Sequence, residues 1–424
     1  MNKIFALLLP ALLSGPLLSG QSASLKACHE AARAHHPVEQ MPDLLYQLQA
    51  LQTEQINSDR KPTVQWITKG TLQSENISLA LPIPNFEAVD LPLYNLQSYL
   101  EGNYLILDGG LTDARKQLLN DQIAVQQQEV EQQLFPLYQA VNQYYFTVLR
   151  LQEQSEQVAV VRDNLNLQLE KMEGAYEQGV LLESDLKKVQ LELLKLEQSI
   201  AQIAYQKEGA LNGLALLTGL SVDTMQELAI PVPPTTATAP SNARPEYRLF
   251  ELQKQQAFGK IQLTEAQSKP KLSVFLRAGV GYPNPLNFFD VSLSPYAIGG
   301  VQFQWPILNW GSLDRQRQIA QVQSNMVDIQ AEAFTQQLDV QTERYRTQQR
   351  MLVDLIERDQ AQLELQASIL PQIQAQLDNE TITVNDYLLQ VNSELLIKLQ
   401  LKSHELQLIQ AQVEYATELG ILQQ

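Results

Sequence analysis

The chain has 424 residues, and its 30 Lys and Arg stand against 47 Asp and Glu for a net charge of −17. That acidity argues against nucleic acid as a partner, because phosphate recognition needs clustered cations. Charged residues are only 18% of the chain, and 58 glutamines fill the deficit, which predicts long, solvated, weakly charged helical faces because Gln favours helix about as well as Glu.

Residues 1–23 read as an export signal. Lys3 supplies the positive start, Ile4 to Leu18 an apolar run broken by Pro10, Gly15 and Pro16, and small residues follow up to Ala23. Cleavage is expected near Gln21-Ser22-Ala23, leaving a mature chain from about Ser24. Gln21 stands where a lipid-anchored chain would carry Cys, so no lipid anchor is expected. Beyond the signal no run of 18 apolar residues occurs, so no transmembrane helix is expected.

Cys28 is alone, which rules out an intramolecular disulfide and a CxxC metal pair. His29, His35, His36 and His404 are too few and scattered for a metal site, and the His35–His36 pair reads as a polar stretch. No cofactor is expected.

The mature chain is a duplication. Leu107-Asp108-Gly109-Gly110-Leu111-Thr112-Asp113 matches Leu308-Asn309-Trp310-Gly311-Ser312-Leu313-Asp314 at an offset of 201. At the same offset Ser184-Asp185 faces Asn385-Asp386, and Gly219 faces Gly420. Lys61-Pro62 pairs with Lys269-Pro270 at an offset of 208, the difference falling to unequal loops. Repeat 1 is expected over 24–221 and repeat 2 over 243–424, with a Pro/Thr-rich linker at 222–242.

Each repeat reads as helix, strand, loop, strand, very long helix, tight turn, long helix. In repeat 1 the strands are expected at about 63–72 and 97–107 and the long helices at about 109–176 and 180–219. In repeat 2 they are expected at about 271–282 and 296–307, then 311–377 and 383–420. Leu134, Leu137, Val141, Val148, Leu151, Val158, Leu165, Leu169, Met172 and Tyr176 keep heptad steps, as do Leu186, Val189, Leu193, Leu196, Ile200 and Ile203, with Leu214 and Leu217 further on. The first helix would run about 100 Å at 1.5 Å per residue, with Pro136 expected to interrupt and kink it.

The strands alternate. Leu272, Val274, Leu276, Ala278, Val280 and Tyr282 point one way, and Ser273, Phe275, Arg277, Gly279 and Gly281 the other. Val301 to Trp305, Val64 to Trp66, and Leu100 to Ile106 alternate likewise. The pattern fits apolar-out, polar-in strands of a membrane barrel, and also half-buried strands of a soluble sheet. Four strands cannot close a membrane barrel whose smallest form has eight; three copies would give twelve.

A signal, two repeats, a strand ending in Leu-Asp-Gly-Gly or Leu-Asn-Trp-Gly before a very long helix, and Gly179-Val180-Leu181-Leu182-Glu183-Ser184-Asp185 at a helical turn resemble the TolC-type outer-membrane efflux protein family. The resemblance covers nearly the whole mature chain. It implies a mainly α fold with a small membrane β-barrel: a homotrimer whose long coiled-coil helices form an α-helical barrel in the periplasm and whose four strands per protomer share a 12-stranded barrel in outer-membrane lipid. It implies a passive exit duct of a tripartite efflux pump or type I secretion system, with a periplasmic adaptor protein and an inner-membrane pump as partners. A periplasmic coiled-coil adaptor-type protein is the alternative, against which the duplicated strand pairs count. No GxSxG, HExxH or P-loop signals an enzyme.

By that resemblance the turns between the long helices form the periplasmic tip, with Gly179, Val180, Leu181, Thr381 and Ile382 as candidate adaptor-docking residues. Asp386 and Asp185 are candidates for the entrance gate. Asp386 matches the first of two Asp that narrow the entrance in some relatives, while Leu389 occupies the second. Leu377 and Ile382 stand where some relatives carry a Tyr and Arg latch. Either Asp could instead cap the helix after its turn.

Overall fold

A computed structural model describes residues 23–75, 78–79, 89–179, 181–225, 228–233, 243–287, 289–379 and 381–421. The signal up to residue 22, most of the Pro/Thr-rich stretch and Val180 lie outside them. The helices are α1 (Leu25–His35), α2 (Met41–Ser58), α3 (Leu111–Glu177), α4 (Glu183–Thr218), α5 (Pro245–Ser268), α6 (Ser312–Asp378) and α7 (Val384–Glu418). The strands are β1 (Thr63–Leu72), β2 (Ser78–Leu79), β3 (Val89–Asp90), β4 (Tyr94–Leu107), β5 (Lys271–Tyr282) and β6 (Ser294–Gln304).

The chain divides into two compact units that do not follow the sequence halves. One takes residues up to Glu39 with 133–244 and 336–424; the other takes 40–132 and 245–335. Each therefore draws segments from both halves of the sequence.

In the first unit the heptad residues are the core. Leu134, Val141, Val148, Val158 and Leu165 of α3 are buried, as are Leu186, Val189, Leu193, Leu196 and Leu214 of α4. Tyr176, at the far end of the series, is exposed. Pro136 lies inside α3 without ending it, contrary to the expected interruption. Pro371 is carried in the same way inside α6.

One helix was expected before β1, but two form, joined by a 3-10 turn over Pro37–Gln40. Ser24 caps α1 by accepting from the Ala27 N–H at 3.2 Å. Leu25, Cys28 and Ala32 are buried, and burial pushes the Cys28 thiol up to about 11, leaving it unreactive. His29 Nε2 lies 2.7 Å from Asn142 Oδ1, and Asn142 donates to Thr417 Oγ1 at 3.1 Å. Arg244 bonds Glu418 at 3.1 Å and stacks over Phe135, tying the start of α5 to the end of α7. The expected linker is packed where it begins: Met225 and Leu228 are buried, and Leu228 bridges Ala23.

In the second unit, β1, β4, β5 and β6 form one antiparallel sheet in the order β1-β4-β5-β6. β4 starts at Tyr94, three residues before its expected start, because Leu72 of β1 pairs with it there. β6 stops at Gln304, short of the expected 307. Its partner β5 begins at Lys271 opposite Gln304, and Pro306 has no N–H to extend a ladder. Val125 of α3 and Leu249 and Leu252 of α5 make a small apolar cluster.

Candidate functional site

Three places carry the features the sequence singled out: the sheet, the strand-to-helix junctions and the turns between long helices.

The pairing register sorts the sheet into two faces. Trp66 opposite Leu100, Gly102 opposite Leu276, and Val274 opposite Val301 lie on one face, which carries no charged side chain on any of the four strands. Its apolar residues are open in this single chain: Trp66 is 77% exposed, Val301 67% and Leu276 59%. On it Trp66 Nε1 donates to Ser98 Oγ at 2.9 Å and Thr68 Oγ1 bonds the same hydroxyl at 3.0 Å. The opposite face carries Gln65, Lys69, Gln97, Glu101, Asn103, Lys271, Arg277, Gln302 and Gln304. There Arg277 pairs with Glu101 and lies over Tyr99 and Phe275. β1 and β6 have no partner on their outer edges among the described residues.

The two junctions solve one problem differently. After β4 the chain turns through Gly109 and Gly110, both with positive φ. Asp108 accepts from the Gly110 N–H and the Thr112 N–H, each at 2.9 Å, and so caps α3. Burial would raise the Asp108 pKa, but the bonds from Thr112 and Gly110 outweigh it and hold the carboxyl at about 2, with Arg60 assisting. After β6 the same left-handed pair is Trp310 and Gly311, and Arg315 Nη1 donates to the Trp310 carbonyl at 2.6 Å.

The turns after the long helices differ as well. Gly179 takes φ +77° and its N–H donates to the Tyr176 carbonyl at 2.8 Å, ending α3. Leu181 and Leu182 follow, both outside the helices. Leu182 at the N-cap of α4 offers no side-chain bond. The Asp185 carboxylate, in the third helical position, is bonded to Lys188 at 2.9 Å rather than to the helix start. In the second turn the Thr381 N–H and hydroxyl both donate to the Gln376 carbonyl at 2.9 Å. Thr383 caps α7: its hydroxyl accepts from the Asp386 N–H at 3.2 Å, and Asp386 Oδ2 accepts from the Thr383 N–H at 3.0 Å and its hydroxyl at 2.6 Å. The cap residue is therefore Thr383, with Asp386 completing a capping box from the third position. Those bonds hold the Asp386 carboxyl below its ordinary value. Ile382 lies between Thr381 and the cap. The sequence signature for this box, Thr383-x-x-Asp386, was present and missed.

No family model and no curated protein matches the chain. Solved structures do match, along most of its length. The outer-membrane protein VceC of Vibrio cholerae is 16% identical with a TM-score of 0.62, over 93% of this chain and 96% of that one. CusC, whose structures concern transmembrane channel formation, is 16% identical with a TM-score of 0.65, over 95% of each chain. The CmeC outer-membrane channel of Campylobacter jejuni is 14% identical with a TM-score of 0.61, over 93% of this chain and 85% of that one. The fold of this chain, long paired helices with a four-stranded antiparallel sheet, is therefore the fold of the outer-membrane channels that its duplicated motifs resemble.

Proposed function

We propose that the chain is an outer-membrane exit duct, a passive channel assembled from three copies. The observation that carries this reading is the sheet: one face is apolar, uncharged and exposed, the other is polar, and both outer edges are unpaired. An exposed apolar face of this extent is unfavourable in water, and in lipid every backbone group must find a partner, which only a closed barrel provides. Joining β6 of one copy to β1 of the next would use both edges and give twelve strands, an even number in the known range. Tyr94 and Tyr282, stacked at the hairpin end, and Trp305 just past the other end fit the aromatic girdles of such barrels.

On this reading the long helices continue the duct into the periplasm, and the turns at 177–183 and 378–384 face an adaptor protein and an inner-membrane pump, either of an efflux system or of a type I secretion system. Gly179, Leu181, Thr381 and Ile382 would meet the adaptor. Asp386 would line the entrance while capping α7, since both bonds from Thr383 fall on its Oδ2. Asp185, held by Lys188, would contribute less. The loops at about 73–95 and 283–295 would face outside the cell.

Native mass measurement of the detergent-extracted protein, with conductance in planar bilayers, tests the reading. A trimer that conducts is expected. Monomers at every concentration, or recovery as a soluble periplasmic protein after gentle lysis, would sink it.

A further inference from the structure

The polar face of the sheet departs from the charge of the chain that carries it. The whole molecule is at −17, yet the four strands place Lys69, Lys271 and Arg277 on this face against one carboxylate, Glu101. Arg277 and Glu101 neutralise each other and are held against Tyr99 and Phe275. Among the described residues neither the Lys69 nor the Lys271 ammonium has an ion-pair or hydrogen-bond partner.

Their positions along the strands keep them separate. Lys69 lies in the row of Gln97 and Gly281, and Glu101 in the row of Arg277. Four residues of β5 separate those rows, about 14 Å at 3.4 Å per residue. Lys271 lies six residues on the other side of Arg277, about 20 Å away. The screening length at physiological salt is about 8 Å, so Glu101 cancels neither lysine. The remaining acids lie off the four strands and keep their charge there, Glu75 three residues past the end of β1 among them. Asp290 in the β5–β6 loop accepts from Asn284, Ser292 and Ser294. Asp108 caps α3, and Asp59 pairs with Arg115. At the helix end of the sheet the exposed Lys61 and Lys269, the repeated Lys-Pro pairs, add to the same sign.

We propose that Lys69 and Lys271 make the sheet end of the duct favour anionic solutes over cations, so that the exit and the carboxylate-bearing entrance oppose each other in charge preference. This rests on the reading of the polar face as the lumen of a shared barrel. Copied by a three-fold axis, each lysine would become a ring of three unneutralised ammonium groups, and rings of like charge in a pore wall attract the opposite ion. Both side chains end in mobile, compact cations, which suits weak attraction without tight capture.

The test is reversal potential in planar bilayers under a KCl gradient, with the full chain, the Lys69→Gln/Lys271→Gln double variant and the Lys69→Arg/Lys271→Arg double variant. The Gln pair should lower the chloride-to-potassium permeability ratio by about twofold or more, with the larger shift at low salt where screening is weaker; the Arg pair should retain the original ratio. Lys69 is exposed, so Lys69→Gln alone, expected to give a smaller shift of the same sign, serves if the double variant fails to assemble. Conducting pores whose ratio is the same in the Gln variants as in the full chain would overturn the proposal while leaving the duct intact. No pores from the unsubstituted chain would instead overturn the duct reading, and the proposal with it.

Discussion

The two halves of the chain meet the same backbone demands with different side chains. At the first junction the left-handed pair is Gly109-Gly110, and a Cβ on Gly109 would sit 2.8 Å from Lys269 Cβ and 3.2 Å from the Pro270 carbonyl. At the second, Trp310 takes φ +50° with its ring in the open. At the first turn Gly179 ends a helix and Leu182 leaves the next uncapped; at the second a Thr383–Asp386 box caps the helix start. A left-handed residue need not be glycine where its side chain has somewhere to go. Where backbone packs against it, glycine is obligatory.

That contrast predicts the largest effect. Gly109→Ala should cost about 1–2 kcal/mol for the left-handed conformation and about 1–3 kcal/mol more for crowding. Trp310→Gly should leave the fold intact or stabilise it by about 1 kcal/mol, by relieving the same conformational strain. Thermal unfolding in detergent compares the two. Equal losses would mean that the crowding around Gly109 is not what sets the difference.

The turns give a smaller difference. Thr383→Ala removes one half of the capping box and should destabilise the start of α7 by about 1 kcal/mol. Leu182→Thr should add stability at α4, by about 0.5 kcal/mol or slightly more, because Asp185 already stands in the third position; Lys188 competes for its carboxylate. Amide exchange at the first turns of α4 and α7 reads both. No gain at α4 would show that Lys188 keeps Asp185 from closing the box.

Acid should separate the junctions. Asp108 titrates near 2 in the fold against an ordinary 3.8, so its contribution is fully present above the ordinary value and is lost as the pH falls from there through about 2. Asp386, also depressed, should lose its share of the α7 cap in the same direction. Asn309, the counterpart of Asp108, has no charge to lose. Exchange protection at Gly110 and Thr112 should therefore fall in acid while that at Ser312, whose N–H donates to the Asn309 carbonyl at 3.0 Å, holds. Equal loss at both would point to global unfolding instead.

What was legible in the sequence follows from which interactions are periodic. Heptad spacing exposes a helix seam because the same few residues are buried every two turns, and Val141, Val148 and Leu165 are buried accordingly. Alternation exposes the strands for the same reason, with Leu276 open and Arg277 on the other face. Pairing between β4 and β5, with Glu101 opposite Arg277, joins residues 176 apart, and no local pattern encodes it. A helix before β1 was legible, with Leu25, Cys28 and Ala32 on one face, but its division into α1 and α2 by the 3-10 turn over Pro37–Gln40 was not. The Trp310 conformation was hidden because a bulky residue with positive φ runs against local preference.

The smallest expected effect concerns the proposed entrance. If the turns lie near a three-fold axis, three Asp386 carboxylates approach one another and make that constriction cation-preferring. Asp386→Asn removes the ring, yet an Asn oxygen can still accept from Thr383, so the α7 start should stay capped and the potassium preference contributed there should weaken. Asp185→Asn should change less, because Lys188 already sits 2.9 Å from that carboxylate and offsets its charge. Planar-bilayer selectivity beside thermal stability separates the roles. Unchanged selectivity with a clear loss of stability in the Asp386 variant would make Asp386 a cap alone, and the constriction would then have to be formed by residues other than these two.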